Sequence, residues 1–251
     1  IFFRPYGGLF RSALRAFRHI FVQNDSSRNL LKSIGIEQVS VAGDTRFDRV
    51  YEIAQQAKRL PEIERFAADA PVFIAGSTWP PDEELLVGLI ERYPDVKFIV
   101  APHEIDPARI EKFCERISRP ALRYTQLTPQ SDLAAAGVLF VDTIGILSSI
   151  YRYGRWGYIG GGFGAGIHNT LEAATFGLPL AFGPRYGKFR EARDLVTLRG
   201  AASIASAEEL ERWFAGLHDD PDATGRSGTI CKEYVLQHKG ATARIMDEIC
   251  R

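Results

Sequence analysis

From Ala70 onward, short apolar runs that do not alternate with polar positions recur between longer amphipathic stretches. The runs are PVFIAGS (71–77), VKFIVAPH (96–103), GVLFVDT (137–143), WGYIGG (156–161), PLAFGP (179–184) and AASIAS (201–206). A β-branched run without alternation fits a strand buried on both faces, and hence a parallel sheet covered by helices. The stretches between carry helix boundaries. Pro81 stands in the first turn of DEELLVGLIERY with acids just inside, Asp106-Pro107 opens ARIEKFCERIS, and KFREARDLVTLRG ends on Gly200 at a C-cap position. Six strands with helical crossovers predict an α/β fold, a Rossmann-like doubly wound parallel sheet. Ligands of such a sheet sit beyond the carboxyl ends of the strands, near the point where the strand order reverses.

The first 45 residues keep a different rhythm. LFRSALRAF places Leu9, Leu14 and Phe17 on one side of a helix and Arg11, Arg15 and Arg18 on another, and no acid precedes Asp25. A membrane- or partner-facing role and a solvated basic face both fit this pattern. HIFVQN then reads as a strand, Ser26 as the N-cap of a short helix, and VSVAGD as a second strand. From about Cys231 the chain reads as helical.

The 251 residues are long for one domain and short for two, since domains run ~100–200 residues. Lys and Arg balance Asp and Glu at 31 each, so no global field recruits nucleic acid. Three scattered cysteines without a CxxC pair argue for reduced thiols and against a disulfide framework or a structural zinc. No apolar run approaches the ~20 residues of a membrane span. The chain begins at Ile1 and its single methionine is Met246, so the expectation is a fragment with its natural N-terminus upstream.

Four strand-end loops carry the candidate chemistry. After 71–75 come Gly76, Ser77 and Thr78, small groups that either offer donors to an anion or cap the next helix. Pro102 and His103 end the second run, where a histidine serves a ligand or a buried hydrogen bond. Asp142 and Thr143 precede Gly145. In the fourth loop, GGGFGAGIHNTLEAATFGLP (160–179), five glycines fall between Gly160 and Gly166. It makes a poor dinucleotide fingerprint, because it lies late in the sheet and lacks a ribose-binding acid about 20 residues on. Asn169 and Glu172 read either as an N-x-x-E capping pair or as part of a phosphate cradle at a helix N-terminus, with Glu172 on a ribose.

Together GDTRFDRV (43–50), GSTWPPDE (76–83), APHE (101–104), DTIG (142–145), GGGF…HNTLEAATFGLP and KFREA (188–192) resemble the C-terminal half of 3-deoxy-D-manno-octulosonic acid (Kdo) transferases. The resemblance implies the C-terminal domain of a GT-B fold over 46–251. Residues 1–45 would then be a short remnant of the N-terminal acceptor domain and its hinge. The resemblance puts Glu172 on the cytidine ribose of CMP-Kdo, and Asn169 with Gly161, Gly162 and Phe163 near the phosphate. Gly76, Ser77 and Thr78 would line the donor site, Pro102, His103, Ile144 and Gly145 would flank cytosine and phosphate, and Lys188 and Glu191 would face the sugar. The chain departs from the family pattern at Ala-Pro-His-Glu for Ala/Val-Pro-Arg-His, at Ile146 for an acid, and at GIHN for Gly-Gly-His-Asn.

The implied activity is metal-independent transfer of Kdo from CMP-Kdo to a lipid A precursor, in lipopolysaccharide biosynthesis at the cytoplasmic face of the bacterial inner membrane. No Asp-x-Asp motif stands at the strand-end loops, no cofactor is implied, and the general base is expected in the N-terminal domain, so the fragment would bind donor without turnover. Membrane association would belong to the full-length protein. Two other readings stay open: a GT-B glycosyltransferase or epimerase using a UDP-sugar, and a non-catalytic nucleotide-binding module.

Overall fold

The structure, a computed structural model, describes residues 2–250. Its contacts form two compact units, Ile1–Tyr51 together with Leu236–Arg251, and Glu52–Val235. This division falls elsewhere than the boundary drawn at 45/46.

The first unit contains α1 (Gly8–Arg15), β1 (Ile20–Val22), α2 (Asp25–Lys32), β2 (Val39–Val41) and the start of α3 (Thr45–Gln55). Strands β1 and β2 pair in parallel, with α2 as their crossover. The cap of α2 is not Ser26 but Asn24, whose Oδ1 accepts the Ser27 N–H at 2.8 Å. Asn24 keeps the extended backbone of the preceding strand, as an N-cap requires, whereas Ser26 already lies inside the first turn. Helix α1 buries none of its side chains, and Leu9 and Phe17 are exposed. The last helix, α12 (Ala241–Ile249), joins this unit through Asp48, whose carboxylate accepts the backbone N–H groups of Gly240 and Thr242. Burial opposes the charge on Asp48, but these bonds outweigh it and hold the carboxyl below its ordinary range.

The second unit is a seven-stranded parallel sheet with helices between the strands. In chain order it runs α4 (Pro61–Ala67), β3 (Val72–Thr78), α5 (Pro80–Arg92), β4 (Lys97–Pro102), α6 (Pro107–Cys114), β5 (Ala121–Arg123), β6 (Val138–Phe140), α7 (Leu147–Ile150), β7 (Trp156–Ile159), α8 (Leu171–Thr175), β8 (Leu180–Phe182), α9 (Arg190–Leu198), β9 (Ala201–Ser203), α10 (Ala207–His218) and most of α11 (Pro221–His238). The strand order is β5-β6-β4-β3-β7-β8-β9. All six expected strands are present. Their unalternated apolar residues, among them Phe73, Ile74, Phe98, Leu139, Tyr158 and Phe182, are buried, because helices cover the sheet on both faces. The seventh strand, β5, had no sequence signal: its three residues are only half-buried at the sheet edge. The helix expected from about Cys231 begins ten residues earlier, at Pro221. No helix of the described residues is long and apolar enough to cross a membrane.

Candidate functional site at the carboxyl edge of the sheet

The first strand of the unit, β3, lies at its centre. The chain steps from β3 to β4, passes to the edge strand β5, returns to β6 between β5 and β4, and then crosses to β7 on the other side of β3. The order therefore reverses between β3 and β7, and the loops after β3, β4, β6, β7 and β8 all leave the sheet at that same edge.

At the reversal the two backbones touch. The Gly160 N–H donates to the Gly76 carbonyl at 2.9 Å, and a Cβ on Gly160 would fall 2.2 Å from the Ser77 oxygen. Ser77 itself has a left-handed backbone (φ +54°) at a register break between Gly76 and Thr78, which turns its residue out of the strand. Gly161 has φ +92°, accessible to glycine at little cost. Its N–H donates to Asp82 Oδ2 at 2.9 Å. The same oxygen accepts the Trp79 N–H (2.9 Å), and Oδ1 accepts the Tyr158 hydroxyl (2.7 Å). One buried carboxylate thus ties together the start of α5, the end of β7 and the glycine turn. Burial, and then the Asp82 charge, push the Tyr158 phenol far above its ordinary value, so it remains a donor.

The turn is folded on itself by Gly164 and Gly166 N–H groups donating to Gly161 O, and by His168 N–H donating to Gly160 O. The N–H groups of Gly162 and Phe163 have no acceptor within the described chain. Across from them the Arg185 N–H donates to Gly162 O (2.9 Å) and its guanidinium to Gly164 O (2.6 Å), which holds a cation beside the turn.

Three aromatic side chains gather at this edge. His103 stacks on Trp79 with centroids 4.8 Å apart, and on His168 at 4.2 Å. Trp79 Nε1–H donates to His168 Nε2 at 3.0 Å. Burial, and then the neighbouring His103, lower the His168 pKa, with Asp82 opposing.

The remaining sequence-predicted residues are placed unevenly. Pro102 is buried, and the His103 N–H donates to the Thr78 carbonyl at 2.9 Å. Thr78 is fully buried, its hydroxyl donating to Glu83 Oε1 (3.0 Å), so its side chain faces the interior rather than the edge. Burial raises the Glu83 carboxyl despite Arg109 nearby. Ile144 is exposed, and Gly145 has φ +87°. Asp142 is held by Arg123 and by the Thr125 N–H and hydroxyl; these bonds outweigh its burial and keep its carboxyl low, which makes it a brace for the loop. Asn169 Oδ1 accepts the Leu171 N–H (3.1 Å), and its Nδ2 donates to Glu172 Oε1 (2.9 Å). Thr170 stands at the N-cap of α8 without a side-chain bond, and Asn169, one residue earlier, takes the Leu171 N–H in its place. Glu172 does not close a capping box, and α8 is only five residues long. Lys188 is exposed and Glu191 is buried in the first turn of α9. Phe189 packs on the glycine turn, with its ring 3.1 Å from where a Gly166 Cβ would lie.

Sequence reasoning missed Trp79, Asp82, His168 and Arg185 as members of one cluster. Asp82 registered only as an acid at a helix start, and Trp79 and His168 are 89 residues apart. Only the β3–β7 adjacency brings them together.

No family model matches the chain. Its fold is that of the C-terminal domain of a GT-B glycosyltransferase. The C-terminal CMP-Kdo binding domain of WaaA from Acinetobacter baumannii superposes with a TM-score of 0.61 at 22% identity, covering 76% of this chain and 99% of that one. HepE from Anabaena in complex with UDP gives 0.58 at 13% identity over 92% of this chain and 63% of that one. By sequence the chain is similar to 3-deoxy-D-manno-octulosonic acid transferases: 26% identity to that of Rickettsia bellii over 96% of this chain, and 23% to that of Chlamydophila psittaci over 88%. The resemblance read from the strand-end motifs holds. The chain spans 58% of the length of the Rickettsia bellii relative and 51% of the Chlamydophila psittaci one.

Proposed function

We propose that the chain is the donor-binding part of a Kdo transferase, holding CMP-Kdo along the carboxyl edge of the sheet for transfer to a lipid A precursor at the inner face of a bacterial membrane. The observation that supports it most is that the similarity to Kdo transferases runs through 96% of the chain and so includes every loop at this edge. In this reading the unpaired N–H groups of Gly162 and Phe163, with the Arg185 guanidinium, receive the phosphate. Ser77 and His103 border it, Pro102, Ile144 and Gly145 flank the base, Lys188 and Glu191 lie toward the sugar, and Glu172 takes the ribose hydroxyls.

The chemistry asks for such donors. The bond between the anomeric carbon and the phosphate oxygen breaks through an oxocarbenium-like transition state, and its electron pair stays on the phosphate. The acceptor oxygen forms the new bond and gives its proton to a base. Preorganised amides and a fixed guanidinium stabilise the growing phosphate charge without having to reorient. Because α8 is short, its dipole is a smaller contributor than these groups.

Calorimetry with CMP and with UDP tests the reading. CMP should bind at least about tenfold more tightly, equal to ~1.4 kcal/mol; a preference for UDP overturns the Kdo assignment in favour of a UDP-sugar enzyme. The Glu172→Ala variant separates ribose binding from capping. Asn169 keeps its bond to the Leu171 N–H, so stability should change by less than about 0.5 kcal/mol. Loss of charged hydrogen bonds to two hydroxyls should weaken CMP by about ten- to a hundredfold. Unchanged affinity with a lowered melting temperature would return Glu172 to a structural role.

A further inference from the structure

An indole N–H only donates, so the 3.0 Å contact between Trp79 Nε1 and His168 Nε2 requires a lone pair on Nε2. The imidazole is then neutral with its proton on Nδ1. Protonating Nε2 would set two N–H groups against each other. The ring is also fixed in direction. Its Cδ2 and Nε2 lie 3.0 and 3.2 Å from where a Gly161 Cβ would stand, so this edge rests on the glycine turn and the Nδ1 edge faces away from it. Stacking on His103 fixes the plane. Nδ1 has no partner among the described residues, although the side chain is half-buried.

We propose that Trp79 is a positioning residue: its indole N–H locks His168 as a neutral imidazole, so that His168 Nδ1–H stands as a fixed donor for an anionic oxygen of the bound nucleotide. The inference rests on the nucleotide reading given above and adds a residue to it. The other observations agree with that role. His168 leaves the same turn as the Gly162 and Phe163 amides, so three donors without partners among the described residues lie within seven residues of chain. A neutral donor held by its surroundings strengthens its bond as charge accumulates on the oxygen, and no proton has to move. The depressed proton affinity of His168, from burial and from His103, keeps it neutral near pH 7.

The test uses the 251-residue chain labelled with ¹⁵N-histidine, the His168 signals being assigned by their absence in His168→Gln. Without nucleotide at pH 7, His168 should show a protonated Nδ1 and an unprotonated Nε2. Trp79→Phe should shift the population toward the Nε2–H form that free imidazole favours, and weaken CMP about tenfold, the loss of one hydrogen bond. His168→Gln can accept from Trp79 and still donate, so it should bind CMP within about threefold of the parent, while His168→Leu should lose about tenfold or more. Adding Trp79→Phe to His168→Gln should cost less affinity than it does in the parent. An imidazolium or an Nε2–H form in the parent overturns the proposal. So does a Trp79→Phe chain with unchanged tautomer and affinity, or a His168→Leu chain that binds CMP normally; the last comparison stands even where Trp79→Phe does not fold. A parent with the locked tautomer and no affinity for CMP overturns the nucleotide reading instead, whereas an unlocked tautomer in a chain that binds CMP overturns only the role of Trp79.

Discussion

Replacing Asp82 with alanine is expected to destabilise the protein by about 4 kcal/mol, whereas asparagine at the same place should cost ~1–2 kcal/mol. The difference follows from how the three donors are shared. Oδ2 accepts both backbone N–H groups, from Trp79 and Gly161, and Oδ1 accepts the Tyr158 hydroxyl. Alanine leaves all three donors buried without an acceptor, at about 1–3 kcal/mol each before relaxation. Asparagine can place its carbonyl oxygen where Oδ2 stands and keep both backbone bonds. Its NH₂ then meets the Tyr158 oxygen, and only the hydroxyl proton has to find another partner. Denaturant unfolding of the two variants gives the comparison. The functional readout should follow the same order, because the Gly161 bond fixes the turn whose next two amides are unpaired: CMP affinity should collapse in Asp82→Ala and largely survive in Asp82→Asn. Equal stabilities for the two variants would mean that the carboxylate does not organise these donors.

That Asp82 does this was beyond the sequence, and the reason is physical. What a residue's neighbours along the chain decide could be read. The strands from Val72 to Ser203, apart from the edge strand, announced themselves because burial on both faces suppresses alternation, and Asp106-Pro107 marked the start of a helix because proline's fixed φ suits a first turn. His103 was legible through a topological rule, since a parallel sheet sends all its strand ends to one edge. The edge strand Ala121–Arg123 was not, because an edge strand is half-solvated and its pairing comes from Val138–Phe140 rather than from its own residues. Nor was the Trp79–His168 bond, which exists only because β3 and β7 are neighbours. The same limit applied to Asn169 and Glu172. The N-x-x-E spacing is right for a capping box, yet Asn169 uses its oxygen on Leu171 and its amide on the glutamate, so Glu172 is held at the surface rather than folded back on the helix.

Gly160→Ala should destabilise the protein by about 3 kcal/mol or more, while Gly164→Ala, four residues along the same turn, should change stability by less than about 0.5 kcal/mol. At Gly160 the added carbon would lie 2.2 Å from the Ser77 oxygen and 2.7 Å from both the Ser77 carbonyl carbon and the Thr78 Cα. All three are backbone atoms of the neighbouring strand, so no side chain can swing away. The strain can be relieved only by separating β3 from β7, which lengthens the Gly160 N–H to Gly76 O bond and moves Trp79 and Gly161 apart on the two sides of Asp82. At Gly164 the nearest atom is the Gly161 oxygen at 3.6 Å, an ordinary contact, and its φ is not left-handed. An alanine there also reduces the freedom of the unfolded chain, which offsets any small loss in the folded one. Thermal unfolding of the two variants beside the parent measures the contrast. The nucleotide site should follow it, with CMP binding lost in Gly160→Ala at temperatures where the chain is still folded, and retained in Gly164→Ala. A glycine kept only for turn flexibility would make the two substitutions equivalent. The unequal outcome would show that the close approach of two strands at the sheet's reversal point both completes the fold and sets the amides of Gly162 and Phe163 in place.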